Sequence, residues 1–138
     1  MKRNILLRTI GPLVVVRQNA EEGSQPDWSD FMRVLTEQRG EFRPEELRIL
    51  VYTDGGSPNA EQRALLAQTL GKFHPRVAVV SNAIKVRFAG ALIALFQRNY
   101  RQFSGAELPL AFAHLQLAPS QCELAEKFLR ELEAELYG

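Results

Sequence analysis

The densest chemistry in this chain of 138 residues lies in one turn, Asp54, Gly55, Gly56 and Ser57. Paired glycines permit positive φ and let another group approach the backbone. A helix is expected just beyond them, and its first turn brings unpaired N–H groups and the positive end of the peptide dipoles. An anion, or a phosphate added to Ser57, is favoured at such a place. The same residue types also serve a plain turn, because Asn59 and Gln62 stand at capping-box spacing and need only the helix to explain them. Ser81, Lys85 and Arg87 form a second cluster at the start of a later helix. Cations in a first helical turn oppose the dipole, so a bound anion or an acidic partner would relieve them, while exposed side chains tolerate the same small penalty.

No catalytic residues are assigned. His74 and His114 lie far apart in sequence, with no His-Glu-x-x-His spacing, and no metal site is expected. Cys122 is the single cysteine and has no histidine near it in sequence. A Gly-x-Ser-x-Gly elbow is missing, and so is the glycine-rich Gly-Lys-Ser/Thr loop that cradles nucleotide phosphates. No cofactor is implied.

Apolar residues make up 46% of the chain and charged residues 24%, the balance of a globular protein with a sizeable core. One cysteine cannot form an internal disulfide, which agrees with a reducing, cytoplasmic setting. Arg8 interrupts the apolar run after Leu7, so no secretory leader is expected. The run from Phe88 to Phe96 falls well short of the ~20 residues that span a bilayer. The net charge is +1, yet no Asp or Glu occurs between Gln62 and Ala106, while six acidic residues lie from Glu107 onward. A basic middle and an acidic end suggest contacts within or between chains. So small a net charge argues against a nucleic-acid footprint.

Two β-type runs, 4–9 and 13–18, flank Gly11 and Pro12 and predict a hairpin. A helix starting at Ser24 or Asp27 carries Trp28, Phe31, Met32 and Leu35 on one face and ends at Gly40. Residues 47–52 and 76–80 read as buried parallel strands, and 99–103 as a shorter, more polar one. Helices are expected over 60–70, 84–97, 105–115 and 119–136. Strands alternating with helices predict an α/β fold in one domain over 1–138, with a mixed, mostly parallel sheet of about five strands. The helix over 84–97 is apolar nearly all round, with Gly90 and Ala94 small enough for close packing. Leu124, Phe128, Leu132 and Leu136 recur every fourth residue on the last helix. Either these two helices cover surfaces inside the chain, or they form an interface that makes a homodimer.

The element order resembles the SpoIIAA-like fold shared by anti-sigma-factor antagonists, STAS domains and related STAS-like bacterial proteins. The resemblance runs over residues 4–115. It rests on the hairpin opening, on Arg76-Val-Ala-Val-Val-Ser-Asn, on Arg87, on Tyr100-Arg-Gln-Phe and on the helical residues from Glu107 to Leu115. It makes residues 118–138 an additional C-terminal helix. In the antagonists a phosphorylatable Ser or Thr starts a helix. Ser57 is the nearest match, with Asp54 upstream and Pro58 where the family has a small residue. The resemblance implies a non-enzymatic regulatory or protein-interaction module. Such a module takes a protein partner or small anion at the strand C-terminal loops and is switched by phosphorylation at Ser57. Two alternatives stand beside it. One is an assembly, scaffold or apolar-ligand-binding subunit acting through the helices over 84–97 and 119–136. The other is a small enzyme of unknown reaction.

Overall fold

Every residue of the second strand is buried although its side chains alternate between two directions, so that strand must be covered on both faces. The computed structural model, which describes residues 2–138, shows how. Strands β1 (Ile5–Ile10) and β2 (Leu13–Gln18) form an antiparallel hairpin. The chain continues through α1 (Gln25–Glu41), β3 (Arg48–Thr53), α2 (Ala60–Leu70), β4 (Arg76–Val80), α3 (Ile84–Ile93) and β5 (Tyr100–Phe103). A 3₁₀ turn (Gly105–Glu107), α4 (Leu108–His114) and α5 (Pro119–Tyr137) complete it. The sheet order is β1-β2-β3-β4-β5, with every pair after the hairpin parallel. This is the expected α/β architecture with a five-stranded, mostly parallel sheet opened by a hairpin.

The strands follow one another across the sheet in chain order. Crossovers of one hand then lay α1, α2 and α3 on the same face. Val14, Val16, Ile49, Val77 and Val79 face those helices and pack with Trp28, Phe31 and Leu35 of α1. Leu13, Val15, Leu50, Ala78 and Val80 face the other way. Burial of each such side chain is worth about 1.5–3 kcal/mol, so that second face cannot stay bare. Helices α4 and α5 close it, with Phe112, Leu115, Leu129 and Leu132 against the sheet.

The expected long helix over 84–97 is shorter, and it is covered on one side only. Val86, Ala89 and Ile93 face the sheet, whereas Ile84 is 84% exposed, Phe88 71% and Leu95 83%. The two polar residues before it, Ser81 and Asn82, do not cap it. The Ser81 Oγ accepts from the Ala83 N–H, Asn82 takes the Gly105 N–H, and the N-cap, Ala83, has no capping side chain.

Two helix ends carry unusual chemistry. Ser24 caps α1, with Pro26 in the first turn and Asp27 closing a capping box. The Asp27 carboxylate is 0% exposed and accepts from Ser24 N–H and Oγ–H at 2.9 Å each, from Asn4 N–H at 3.2 Å and from Arg3 Nε at 2.6 Å. It therefore ties the start of α1 to the start of β1. At the end of α4, Leu117 N–H reaches Phe112 O and Gln116 N–H reaches Ala113 O, the paired bonds of a Schellman stop. The left-handed position of that stop is usually glycine, and here it is Gln116 at φ 56°.

Burial alone would raise the pKa of Asp27, but the hydrogen bonds from Ser24, Arg3 and Asn4 outweigh it and hold the carboxyl below its usual range. A carboxyl depressed in the folded state contributes stability above its unfolded value of about 3.9, and that stability is lost as pH falls through the folded value. Asp27→Asn is expected to lower stability by about 2–4 kcal/mol near neutral pH and to flatten the acid limb of a urea-midpoint-against-pH curve. Gln116→Gly is expected to raise stability by about 0.5–1 kcal/mol in the same denaturation, by removing the strained φ.

Candidate functional site

The C-terminal ends of β2 and β3 place two different environments back to back. Alternation sends Arg17 and Tyr52 to the α5 face, and Gln18 and Thr53 to the α1–α3 face. The turn after β3 joins them. Thr53 Oγ1 donates to Gly56 O at 2.7 Å and accepts from Gly55 N–H at 3.2 Å, while Gly56 N–H donates to Asn19 O at 2.9 Å. Gly55 sits at φ 145°, and a Cβ on Gly56 would lie 2.3 Å from both the Gln18 amide nitrogen and Glu21 O. Both glycines thus serve the turn itself, where the chain runs tight against the loop after β2.

On the α5 face, Arg17 is only 3% exposed. Its Nη2 donates to Asp54 Oδ2 and to Glu133 Oε1, each at 2.8 Å, and its Nη1 donates to Gln18 O at 2.8 Å. The Tyr52 and Tyr137 rings stand 4.8 Å and 5.9 Å from the guanidinium carbon. Burial opposes the Arg17 charge, and the two carboxylates more than offset it, so the guanidinium is held in its charged form. The Tyr137 hydroxyl donates to Asp54. Desolvation, then that hydrogen bond and the Asp54 charge, push the Tyr137 phenol up to about 12. Arg17, Asp54, Glu133 and Tyr137 bond to one another, and the product is the fastening of α5 to β2 and β3.

On the α1–α3 face, a cavity of about 80 Å³ lies between the sheet and the three helices. Trp28 and Phe31, Val51 and Val79, and Val86 and Ala89 are among its walls. Gln18, Thr53 and Ser57 edge it at the strand C-terminal end, and Gln97 and Tyr100 at the other. Gln97 is 2% exposed; its Nε2 donates to Phe73 O at 3.2 Å, and its Oε1 has no partner among the described residues. The buried Trp28 Nε1 also lacks one there. Burial drives the Tyr100 phenol pKa upward.

The candidate residues of the sequence are therefore dispersed. Asp54 turns to the α5 face while Ser57 edges the cavity, so the sheet separates the two ends of one turn. Asn59 caps α2 with Gln62 in a capping box, so Ser57 is not the cap. Ser81 is buried, and Lys85 and Arg87 are exposed on the outer side of α3. Gly90 packs against the Gln102 amide, where a Cβ would come within 2.4 Å, and Ala94 is exposed. Leu132 and Leu136 are buried inside the chain, and Leu124 and Phe128 are half-buried on α5. His114 Nε2 lies 2.8 Å from Asn99 O and 3.1 Å from Val77 O, and Cys122 is half-buried beside Leu117 O. Among the described residues no group of three or more His, Cys, Asp and Glu stands ready for a metal, and no helix is long and apolar enough to cross a membrane. Sequence reading missed Arg17, Glu133, Tyr137 and Gln97. The one signal was Arg17 itself, a charge ending the apolar run of β2.

Comparison with known proteins finds no matching family model and no matching curated protein. Among solved structures, the chain is similar to a probable enoyl-CoA hydratase from Mycobacterium thermoresistibile. The two are 7% identical over 97% of this chain and 90% of that one, with a TM-score of 0.40. The expected membership in the SpoIIAA/STAS-like family is thereby corrected, since no family model supports it and the solved structure found is of another kind. The non-enzymatic, STAS-type regulatory and protein-interaction role falls with it, because that role came from the resemblance alone. A TM-score of 0.40 transfers neither a fold nor a reaction to this chain.

The Tyr137–Asp54 bond yields a direct test. Asp54→Asn is expected to bring the Tyr137 titration back from about 12 toward the ordinary phenol value of about 10, read from ring carbon NMR shifts against pH.

Proposed function

We propose that this chain is an apolar-ligand-binding protein whose site is the cavity between the sheet and α1, α2 and α3. The observation that carries this reading is the cavity itself, apolar along its walls with polar groups confined to its two ends. Interiors are normally packed to the density of organic crystals, and voids larger than a water are few. At ~24 cal/mol per Å³, an unfilled space of about 80 Å³ costs roughly 2 kcal/mol relative to a filled one. An apolar occupant recovers that, and apolar cavities of this kind hold hydrocarbon in preference to water. The pattern of apolar walls with a few placed polar groups is also that of small-molecule sites in general.

Helix α3 is the wall suited to yield. It has no capping side chain, it is covered on one side only, and its small inner residue Ala89 lines the cavity. Helix α5 lies beyond the sheet and takes no part in this reading.

Trp28 is the only tryptophan and lines the cavity, so it reports on occupancy. Titration with straight-chain alcohols from ethanol to hexanol is expected to change its emission saturably, with affinity rising with chain length until the chain outgrows the space. Ala89→Phe and Val86→Phe, which fill the space, are expected to weaken binding at least tenfold while circular dichroism stays that of the parent. A folded filled variant that binds as the parent does, or a parent with no saturable response, sinks the proposal.

A further inference from the structure

A second concavity opens at the opposite end of the molecule, where β4 and β5 begin. It measures about 400 Å³ and is lined by Lys72, His74, Arg76, Arg98, Asn99 and Gln116, with Pro44 and Glu45 at one side. Three permanent cations thus face one carboxylate. Elsewhere Arg3, Arg8, Arg17, Arg33 and Arg43 each reach a carboxylate of this chain. Among the described residues Lys72, Arg76 and Arg98 form no ion pair. Arg76 makes one side-chain hydrogen bond, 3.3 Å to His114 O, and the Lys72 and Arg98 side chains make none there.

Three further features belong to the same place. Beside the cleft, Arg48 and Arg76 are register partners on adjacent parallel strands, which sets two like charges side by side. Burial, and after it the Arg76 charge, disfavour the charged form of Arg48. Arg98 N–H donates to His74 Nδ1 at 3.3 Å, which leaves His74 Nε2 as the ring's N–H donor. Gln116 occupies the left-handed position where glycine is the unstrained choice, and its side chain lines the cleft. Breaking a local rule at the rim of a polar cleft is the pattern of a site selected for binding rather than for stability.

From this geometry we infer that the cleft binds the phosphate group of a small soluble molecule. A phosphate dianion matches the charge excess of the cleft, and guanidinium and ammonium groups together supply point charge and forked hydrogen bonds. A concavity of about 400 Å³ is of the size that takes a small molecule. The inference stands apart from the apolar cavity and does not depend on it.

The test uses the full chain, with inorganic phosphate and glycerol 1-phosphate as separate probes against sodium chloride at equal ionic strength. Each probe is expected to raise the thermal midpoint beyond the chloride effect and to shift the His74 ring signals in NMR while leaving the indole signals of Trp28, which lines the other cavity, in place. A stronger response to glycerol 1-phosphate identifies an organic phosphate as the source, and an equal response identifies the free ion. Lys72→Gln and Arg98→Gln alter exposed side chains and are expected to weaken binding at least fivefold each. Lys127→Gln, an exposed cation on α5, is expected to change nothing. The inference is overturned if neither probe exceeds chloride, if His74 and Trp28 respond alike, or if the variant carrying both Lys72→Gln and Arg98→Gln binds as the parent does.

Discussion

The structure depends on one topological constraint, that five strands lie side by side in the order in which they occur in the chain. Crossovers of a single hand then deliver α1, α2 and α3 to one face and leave the other with a row of uncovered valines and leucines. Helices α4 and α5 are the return passage that covers that row. The last helix is therefore a required layer of the fold. Its Leu132 and Leu136 complete a core that the first hundred residues leave open.

The same constraint explains why Arg17 is buried. Beta-strand alternation continues to the end of β2, and the α5 face receives a charged residue where it had received Leu13 and Val15. Leaving that guanidinium unpaired would cost several kcal/mol. Asp54, Glu133 and the two tyrosine rings answer it, and in doing so they tie the turn after β3 to the far end of α5. A charge at the end of a strand thus sets where the last helix stops sliding.

Much of the fold was legible in the sequence. The strand pattern, the hairpin at Gly11 and the capping box of Asn59 with Gln62 all follow from local chemistry, and each residue acts on neighbours a few positions away. Periodicity did not show which side of α3 the sheet covers, because an apolar helix reads the same whether its outer side meets protein or solvent. The sites were far less legible. Arg17 meets Glu133 across 116 positions, and Gln97 joins Trp28 only through the packing of separate helices on one sheet. The cleft cations at 72, 76 and 98 looked like part of a general basic stretch. Only the turns before β4 and β5 bring them to a shared concavity. Family resemblance misled for a related reason, since an order of elements constrains layers and not the side chains set upon them.

The sheet also works as a partition. The side chains that wall the cavity and those that hold α5 belong to alternate positions of the same strands, and no residue of the two buried clusters is shared. Substitutions on one side therefore leave packing on the other largely untouched, whereas an insertion or deletion of one residue within a strand would exchange the two sets at once. Descendants of this chain have room to change what the cavity accepts by point replacement while keeping the Arg17 fastening intact. The length of each strand is the feature least free to vary.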